Sequence, residues 1–470
     1  MTKSTESWVL SEFNGISFND VRLDNRFVTI ACDAIENPAA PINQASEDWA
    51  ATKAAYRFFN NPKVDRAQIL ETHQKSTLER MKDHKVVLAI QDSCLLDFSK
   101  HSKLKGKGPI GTRTQNLTGY VMHSTLAVTP AGTPLGLLTH SLWARDEIKE
   151  NRNAKNKILP VEKKESIKWI NALRETCKVA PIDVEVIHLA DREADFYEFF
   201  EWIEKLKQKC VIRSRFDREI EDQSRMWDFM TKQPVAYKES ITVSRNKIHI
   251  GGKNKKEFKI QRETEVAIKV AQITFNPPIG AKKKKPIKIN LVLVKEINPP
   301  EGEEAVEWML ITNLAIGTQE EISLIVYYYR LRWLIEEYHK ILKTGCKIEE
   351  CYLEDTEAMF RYITLFCIVA WRIFWIVRIQ RINPDVPCTE GMAESEWKAL
   401  YCYIHKKQKV PDKVPTIREA VIWIARLGGF LARKGDGEPG IITIWRGWTR
   451  LNDIVDMYVV FSSSYEQGKH

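Results

Sequence analysis

The stretch Val86-Val87-Leu88-Ala89-Ile90-Gln91-Asp92-Ser93 indicates how the chain folds. Its first five residues are apolar and rich in β-formers, which is typical of a short strand buried on both faces. Residues 184–190 repeat this pattern and end at Asp191. We therefore expect both aspartates where a core strand leaves the sheet. Because ligands collect at the carboxyl ends of strands in open α/β sheets, Asp92 and Asp191 would lie side by side if their strands are neighbours.

A third acidic residue lies on a polar stripe of an otherwise apolar helix. At about 100° per residue, five side chains share one helix face about 80° wide: Tyr329, Arg332, Glu336, Lys340 and Lys343. The residues between them are mostly apolar, so we expect a buried helix whose stripe opens onto a ligand. One carboxylate among four side chains that suit phosphate indicates a metal together with a nucleic-acid backbone.

The order of these three acidic residues resembles a known family. Asp191 begins Asp191-Arg192-Glu193-Ala194-Asp195, and Glu336 lies in the pattern Tyr-x2-Arg-x3-Glu-x6-Lys. With Ala55-Tyr56-Arg57-Phe58 and residues 424–430, these motifs resemble the bacterial insertion-sequence transposases of the IS4 family. The resemblance covers nearly the whole chain. It implies a cut-and-paste transposase, a homodimer on double-stranded DNA that cleaves two transposon ends through a hairpin intermediate and joins them to target DNA.

The order of strands and helices between residues 71 and 215 suits a ribonuclease H-like core, in which a meander of three strands precedes strands added through helices. The expected strands lie at 86–91, about 120–128, about 135–142, 184–190 and 209–214, and the expected helices at about 164–177 and 194–206. Residues 236–312 alternate polar and β-branched side chains, which predicts a strand-rich insertion. The fold class is therefore α/β, a ribonuclease H-like catalytic core with a β-strand insertion. Helical domains flank it.

We expect three domains. They are a helical DNA-binding domain at 1–70, the catalytic domain with its insertion at 71–375, and a helical dimerisation domain at 376–470. The first is basic and aromatic, and Arg22, Arg26 and Arg57 are its candidate DNA contacts. A helical cap packed on the next domain is the alternative interpretation of the same residues.

Three carboxylates suit divalent metal ions that neutralise charge on the attacking and leaving oxygens of a phosphodiester. We predict that Asp92, Asp191 and Glu336 are catalytic and bind Mg²⁺, for which Mn²⁺ would substitute. Taken singly, Asp92 also fits a strand-end turn and Asp191 a helix N-cap. Helix-start roles explain Glu193 and Asp195, so neither is included in the metal set.

The stripe beside Glu336 predicts contacts to phosphate. The resemblance implies that Tyr329 and Arg332 are a phosphate-contacting pair and that Lys343 is the closing lysine of the motif, and Lys340 has the same spacing. Ion pairs within the helix are the alternative.

The resemblance implies three further DNA contacts. Trp308 corresponds to an aromatic side chain that fills the space left by a flipped base, although without the family it would be assigned to the core. Arg213 and Arg215 follow the strand at Cys210-Val211-Ile212 and resemble basic residues near the same pocket.

Composition limits the other possibilities. Lysine and arginine exceed aspartate and glutamate by 71 − 62 = 9, with basic runs at 103–107, 253–256 and 282–285. Such runs suit a polyanionic partner, and solvated loops are the alternative interpretation. Nine cysteines without paired metal-site spacing indicate a reduced cytoplasmic chain. The resemblance implies that the protein is bacterial and nucleoid-associated. Gly106-Lys107-Gly108 does not match a P-loop, so we expect no ATP, and we expect no membrane segment. A silent DNA-binding regulator and a structure-selective nuclease are the alternative functions.

Overall fold

In this computed structural model the described residues are 3–46, 48–111, 113–146, 159–221, 224–243, 247–249, 256–258, 262–278, 284–433 and 436–467. Much of the basic runs at 253–256 and 282–285 therefore lies outside the described residues. The chain forms two compact units. The first contains residues 1–158, 178–185 and 333–470, and the second contains 159–177 and 186–332.

The described helices and strands follow one another in chain order. The α-helices are α1 (Lys3–Glu12), α2 (Val21–Glu36), α3 (Ile42–Ala45), α4 (Trp49–Phe59), α5 (Arg66–Met81), α6 (Ile167–Val179), α7 (Tyr197–Lys205), α8 (Met226–Lys232), α9 (Gln319–Leu331), α10 (Trp333–Lys340), α11 (Thr356–Ile382), α12 (Glu394–His405), α13 (Ile417–Leu427) and α14 (Ile441–Gln467). The strands are β1 (Val86–Asp97), β2 (Gly108–Ile110), β3 (Leu117–Val128), β4 (Pro134–Trp143), β5 (Glu185–Ala190), β6 (Lys209–Arg213), β7 (Tyr237–Val243), β8 (Lys247–His249), β9 (Lys256–Phe258), β10 (Arg262–Phe275), β11 (Ile287–Glu296) and β12 (Glu307–Thr312). The strands and helices expected between residues 71 and 215 are confirmed, except that β1 extends beyond its expected end.

Helices α1 to α5 of the first unit pack around aromatic side chains. Asp20, Asp48 and Asp65 begin α2, α4 and α5, and each accepts a backbone N–H from the first turn of its helix. Phe27 and Phe58 are almost completely buried and lie in a group of edge-to-face and tilted ring contacts. The N-terminal helices thus have a core of their own.

The sheet of the first unit is an antiparallel meander. β3 pairs with β1, β2 and β4. β1 is longer than expected because β3 continues to pair with it as far as Asp97, which lies opposite Gly119. Asp92 therefore lies inside the strand, opposite Ser124, and the expectation that it marks the strand end is wrong. Its side chain is half-buried, whereas Val87 to Gln91 are buried.

Helix α11 forms the core of the first unit. Among the described residues it is the one helix long and apolar enough to cross a membrane, and 83% of its most apolar window is buried inside the protein. Arg361 anchors the N-terminal helices to it by donating to the carbonyl oxygens of Phe59 and Val64. Helices α12, α13 and α14 form a second apolar core with the end of α11, around Trp397, Leu400 and Ile424.

The sheet of the second unit has the order β5-β6-β12-β11-β10-β7. β5 and β6 are parallel, and the remaining pairs are antiparallel. The strand-rich character of residues 236–312 is confirmed. However, these strands extend the sheet of the second unit, because Ile311 of β12 lies opposite Ile212 of β6. Buried aromatic side chains of α6 and α7, including Trp169 and Phe199, cover this sheet.

Candidate active site

Asp92 and Glu336 lie on neighbouring elements of the first unit. Asp92 is on β1, and one of its oxygens accepts the N–H of Ser93 at 2.7 Å. Glu336 is a half-buried residue of α10, whose apolar side chains Leu334, Ile335 and Tyr338 are buried. Helix α10 packs against β1. The first unit thus presents two of the three expected carboxylates on one packed helix and strand.

Asp191 lies in the second unit, directly after β5. It caps a single turn of 3₁₀-helix at Arg192–Ala194, and its Oδ1 accepts the N–H of Glu193 at 2.8 Å. This is the N-cap role that the sequence allowed. The capping bond also fixes the direction of the carboxylate, so Asp191 can be both an N-cap and a metal ligand.

The three carboxylates have the oxygen donors that Mg²⁺ prefers. Among the described residues, however, no three His, Cys, Asp or Glu side chains form a ready-made metal cluster. Asp92 and Glu336 belong to one compact unit and Asp191 to the other. Their role as shared metal ligands therefore stays a prediction.

The second unit brings together four of the expected DNA contacts, which we call the Tyr329 cluster: Trp308, Tyr329, Arg332 and Arg213. The rings of Trp308 and Tyr329 meet edge to face at 5.5 Å, and the guanidinium of Arg332 lies 5.9 Å from the centre of the Tyr329 ring. The guanidinium groups of Arg213 and Arg332 both hydrogen-bond to the Tyr329 hydroxyl. Residues that are up to 119 positions apart in sequence (332 − 213) thus form one basic, aromatic group.

Burial shapes the electrostatics of this cluster. Tyr329 is only 6% exposed, and burial raises the pKa of its hydroxyl although both guanidinium groups oppose the rise. Burial also lowers the pKa of Arg213. Arg213 further donates to the main-chain oxygen of Glu307 at 3.1 Å, which holds it against the strand of Trp308. Arg213 is thus a half-buried guanidinium held by a main-chain oxygen, and such a group suits an anion like phosphate.

Comparison with known families gives three matches. Residues 5–64 match a model described as transposase DNA-binding, residues 161–372 a transposase DDE domain, and residues 368–468 a transposase Tn5 dimerisation domain. Together these matches support a Tn5-like transposase of the IS4 family. The chain is a DDE-type transposase, a metal-dependent enzyme that cuts and joins DNA on a ribonuclease H-like core. The first and last matches indicate that it binds DNA and dimerises.

A structural comparison finds the cryo-EM structure of a piggyBac transposase synaptic complex with hairpin DNA. The sequence identity is 10%, the match covers 81% of this chain and 67% of that chain, and the TM-score is 0.35. A TM-score this low carries no argument about the Tn5-like transposase.

The polar stripe of this transposase is less regular than a single helix. α9 ends at Leu331, α10 begins at Trp333, and the chain then makes a π-helical turn at Ile341–Gly345. A π turn has more residues per turn than an α-helix, so Lys343 departs from the position that 100° per residue predicts. Its ammonium donates to the carbonyl oxygen of Leu95 at 2.9 Å, whereas Lys340 is exposed.

The N-terminal arginines of the transposase differ in their surroundings. Arg22 forms a two-pronged contact with Asp20, with both distances 3.1 Å. Arg26 is half-buried on α2, and Arg57 is exposed in the last turn of α4. Because these helices also pack on α11 through Arg361, the cap interpretation describes their inner side. DNA contact by the three arginines stays a prediction.

Arg215 is exposed, and its guanidinium lies 5.3 Å from the centre of the Phe216 ring. The loop that carries it is held by Asp195, a residue that the sequence assigned to helix-start duties. Asp195 is instead 1% exposed and accepts hydrogen bonds from residues about 20 positions later. A buried aspartate one turn after a candidate metal ligand is the signal that sequence reasoning missed.

Proposed function

We propose that this transposase excises its element by cut-and-paste and that Asp92, Asp191 and Glu336 are its catalytic carboxylates. The observation that carries the proposal is the packing of α10, with Glu336, against β1, with Asp92, in a chain whose residues 161–372 match a DDE domain. Asp92, Asp191 and Glu336 would hold the divalent ions, which when bound would stabilise charge on the attacking and leaving oxygens. Magnesium is the expected ion, and manganese would substitute for it.

The chemistry consists of repeated in-line displacements at phosphorus. A water oxygen first attacks a phosphodiester at the transposon end, and a 3′-hydroxyl leaves. That 3′-hydroxyl then attacks the opposite strand, which forms a hairpin and releases the flanking DNA. Hydrolysis of the hairpin restores the 3′-hydroxyl, which finally attacks target DNA. Each transesterification breaks one phosphodiester and forms another, so no ATP is required.

The Tyr329 cluster would hold the DNA for these steps. Arg332 and Arg213 present guanidinium groups that can bind a phosphate by two bonds each, and the Tyr329 hydroxyl already accepts bonds from both. Lys343, Lys340 and Arg215 would add charge along the backbone. Trp308 would enter the space left by a flipped base, which offsets the few kcal/mol that flipping costs.

We infer that the active assembly is a homodimer holding two transposon ends. The match of residues 368–468 to a dimerisation domain supports this arrangement. In it, Arg22, Arg26 and Arg57 of the N-terminal helices would grip one end, and each subunit would cut the end held mainly by the other. The enzyme would act inside the bacterial cell, on the nucleoid.

A supercoiled-plasmid assay tests the function. DNA flanking the coding sequence is first sequenced for inverted terminal repeats, and a plasmid carrying those repeats is incubated with the protein and Mg²⁺. Excision at the repeats followed by joining to a second plasmid supports the proposal. Nicking without end specificity would indicate a nuclease, and binding without cleavage would indicate a regulator.

A further inference from the structure

Asp195 is the last residue of the motif that begins with Asp191. It ends the 3₁₀ turn at Arg192–Ala194, and the residue is only 1% exposed. Carboxylates are seldom buried to this degree unless they are fully paired. A helix-start role does not account for this burial, because the N-cap of α7 is Phe196.

The partners of Asp195 lie in the loop that follows β6. Its Oδ2 accepts the N–H of Arg215 at 2.6 Å, the N–H of Phe216 at 3.1 Å and the hydroxyl of Ser214 at 3.2 Å. Its Oδ1 lies 2.6 Å from Nη1 of Arg218. The carboxylate thus holds four consecutive or nearly consecutive residues of one loop.

Arg218 strengthens this attachment in two ways. Its Nη2 donates to the main-chain oxygen of Asp195 at 3.0 Å, so the arginine binds both the side chain and the backbone of its partner. Its guanidinium also lies 5.0 Å from the centre of the Phe275 ring and 5.6 Å from that of Phe216. A guanidinium between aromatic rings is restricted in orientation.

The same loop carries the basic residues expected to contact DNA. Arg215 lies within it and Arg213 directly precedes it. The main-chain N–H of Ser214 donates to the carbonyl oxygen of Met309 at 2.7 Å, which ties the loop to β12, the strand of Trp308. Asp195 therefore connects the turn after Asp191 with a loop that follows Arg213 of the Tyr329 cluster and carries Arg215.

We propose that Asp195 is a positioning residue for DNA cleavage, which fixes Arg213 and Arg215 relative to Asp191. It contacts neither metal nor DNA. Its effect is to place the phosphate that these arginines bind at a constant distance from the catalytic carboxylate. The inference rests on the proposed function and assigns a role that Asp191, Glu336 and the polar stripe do not supply.

The amide of asparagine cannot reproduce these contacts. In the Asp195→Asn variant the new side chain would offer one acceptor oxygen, and its NH₂ group would face either N–H donors or the guanidinium of Arg218. The buried guanidinium would then lack a counter-charge. The loop is expected to shift, and misplacement by about 1 Å reduces catalysis by about a hundredfold.

Glu296 provides a matched control in the same unit. It is 3% exposed, pairs with Arg262 at 2.5 Å, and accepts bonds from the Thr264 hydroxyl at 2.7 Å and the Val306 N–H at 2.9 Å. It is therefore a carboxylate with a similar set of partners, but none of them is an expected DNA contact. Glu296→Gln reports what the loss of a buried ion pair alone does to the enzyme.

The test measures single-turnover cleavage of transposon-end DNA at saturating DNA and Mg²⁺, below the unfolding temperature of each variant. We expect Asp195→Asn to cleave about a hundredfold more slowly than the native enzyme. The Mg²⁺ concentration for half-maximal rate should not change, and the salt dependence of DNA binding should become shallower as phosphate contacts are lost. Glu296→Gln should retain the native rate.

A folded Asp195→Asn protein that cleaves at the native rate would overturn the proposal, and so would a changed Mg²⁺ requirement, since that would make Asp195 a ligand. If Asp195→Asn does not fold, the double variant Asp195→Asn, Arg218→Gln removes the unpaired charge and is expected to show the same loss of rate. A native protein that does not cut transposon ends refutes the proposed function itself. The two failures are therefore distinguishable.

Discussion

The ammonium of Lys343 lies 2.9 Å from the carboxylate of Glu349. Glu349 is itself held in place, because its Oε1 also accepts the N–H of Asp97 at 2.7 Å and its main-chain oxygen bonds to His101. Burial lowers the pKa of Lys343, but the bond and charge of Glu349, together with Cys94 and Asp97, outweigh burial and the net pKa is raised. The lysine expected to bind phosphate is thus positively charged, and the neighbouring carboxylate of Glu349 offsets part of that charge.

Removing the charge of Glu349 is expected to strengthen DNA binding. The Glu349→Gln side chain keeps an oxygen that can accept the N–H of Asp97. It carries no charge, so the full positive charge of Lys343 is available to phosphate. We expect binding to tighten up to about fivefold, about 1 kcal/mol, and the salt dependence to steepen by up to about 0.9. Fluorescence anisotropy with transposon-end DNA at several salt concentrations measures both.

Glu350→Gln is the matched control, because Glu350 is exposed and pairs only weakly with Lys347 at 3.5 Å. Equal effects of the two variants would show that net charge, and not the pairing with Lys343, controls binding.

A buried carboxylate in the N-terminal helices, Glu12, makes the stability of the fold depend on pH. Glu12, 3% exposed, contacts His73 Nδ1 at 2.6 Å and Arg80 Nη1 at 2.8 Å. His73 Nε2 accepts the N–H of Leu137, so the ring is neutral and its Nδ1–H donates to Glu12. Burial, although opposed by Glu12, lowers the pKa of His73. The pKa of Glu12 is lowered to about 2: burial alone would raise it, but the hydrogen bonds from His73 and Arg80 and the charge of Arg80 prevail.

The lowered pKa values of Glu12 and His73 both make the fold less stable in acid. A carboxylate with a lowered pKa stabilises the fold above its ordinary value of 4.5 and loses this contribution as the pH falls towards about 2. A histidine that is neutral in the fold costs stability as the pH falls below 6.5. The protein should therefore lose stability progressively from about pH 6.5 downwards.

Glu12→Gln tests this relationship through urea unfolding at several pH values. At pH 7 the variant should lose about 3 kcal/mol of unfolding free energy, because the shift from 4.5 to about 2 corresponds to that energy. The difference from the native protein should shrink as the pH falls below 4.5. A difference that stays constant from pH 7 to pH 3 would contradict the assignment.

Trp308 is expected to act at the hairpin step. Its ring meets Tyr329 at 5.5 Å and is only half-buried, so part of its surface can receive or replace a base. Trp308→Ala should slow hairpin formation more than the first nick, because only the later step requires a flipped base. Trp308→Phe, which keeps a ring, should recover part of the rate. Resolution of nicked and hairpin products on denaturing gels shows which step changes, and equal slowing of both would argue against a wedge.

The arginines of the N-terminal helices should differ in their contribution to DNA binding. Arg57 is exposed on α4, whereas Arg22 makes two contacts of 3.1 Å with Asp20. Arg57→Gln should reduce the salt slope of binding by about 0.9, the value for one phosphate. Arg22→Gln should reduce it less. A larger effect at Arg22 would mean that the Asp20 contact opens on binding.

Local pattern predicted most of the strands and helices because hydrophobic periodicity depends on nearby residues. The length of β1 was not predictable in this way. It depends on β3, which pairs with β1 through Asp97 and so places Asp92 inside the strand. The π turn at Ile341–Gly345 likewise has no signal in a 100° periodicity.

The site was predictable to the extent that it resembles a family. The Tyr329 cluster unites residues that the resemblance had named one by one. Asp195 and Glu349 were missed, because their partners are distant in sequence: Asp195 binds the loop at 214–218, and Glu349 binds the end of β1. Sequence spacing reports neighbours on one helix or strand, and long-range pairing has to be seen in the fold.

The most direct test of the account compares single-turnover DNA cleavage with Mg²⁺ by Asp92→Asn, Asp191→Asn and Glu336→Gln proteins, with Asp183→Asn, an exposed aspartate, as the control. Because metal ligation supplies several kcal/mol to the transition state, each of the three should cut at least about a thousandfold more slowly while still binding transposon-end DNA. The control should match the native rate. Cleavage at the native rate by any one of the three variants would contradict the claim that these carboxylates share the catalytic metal ions.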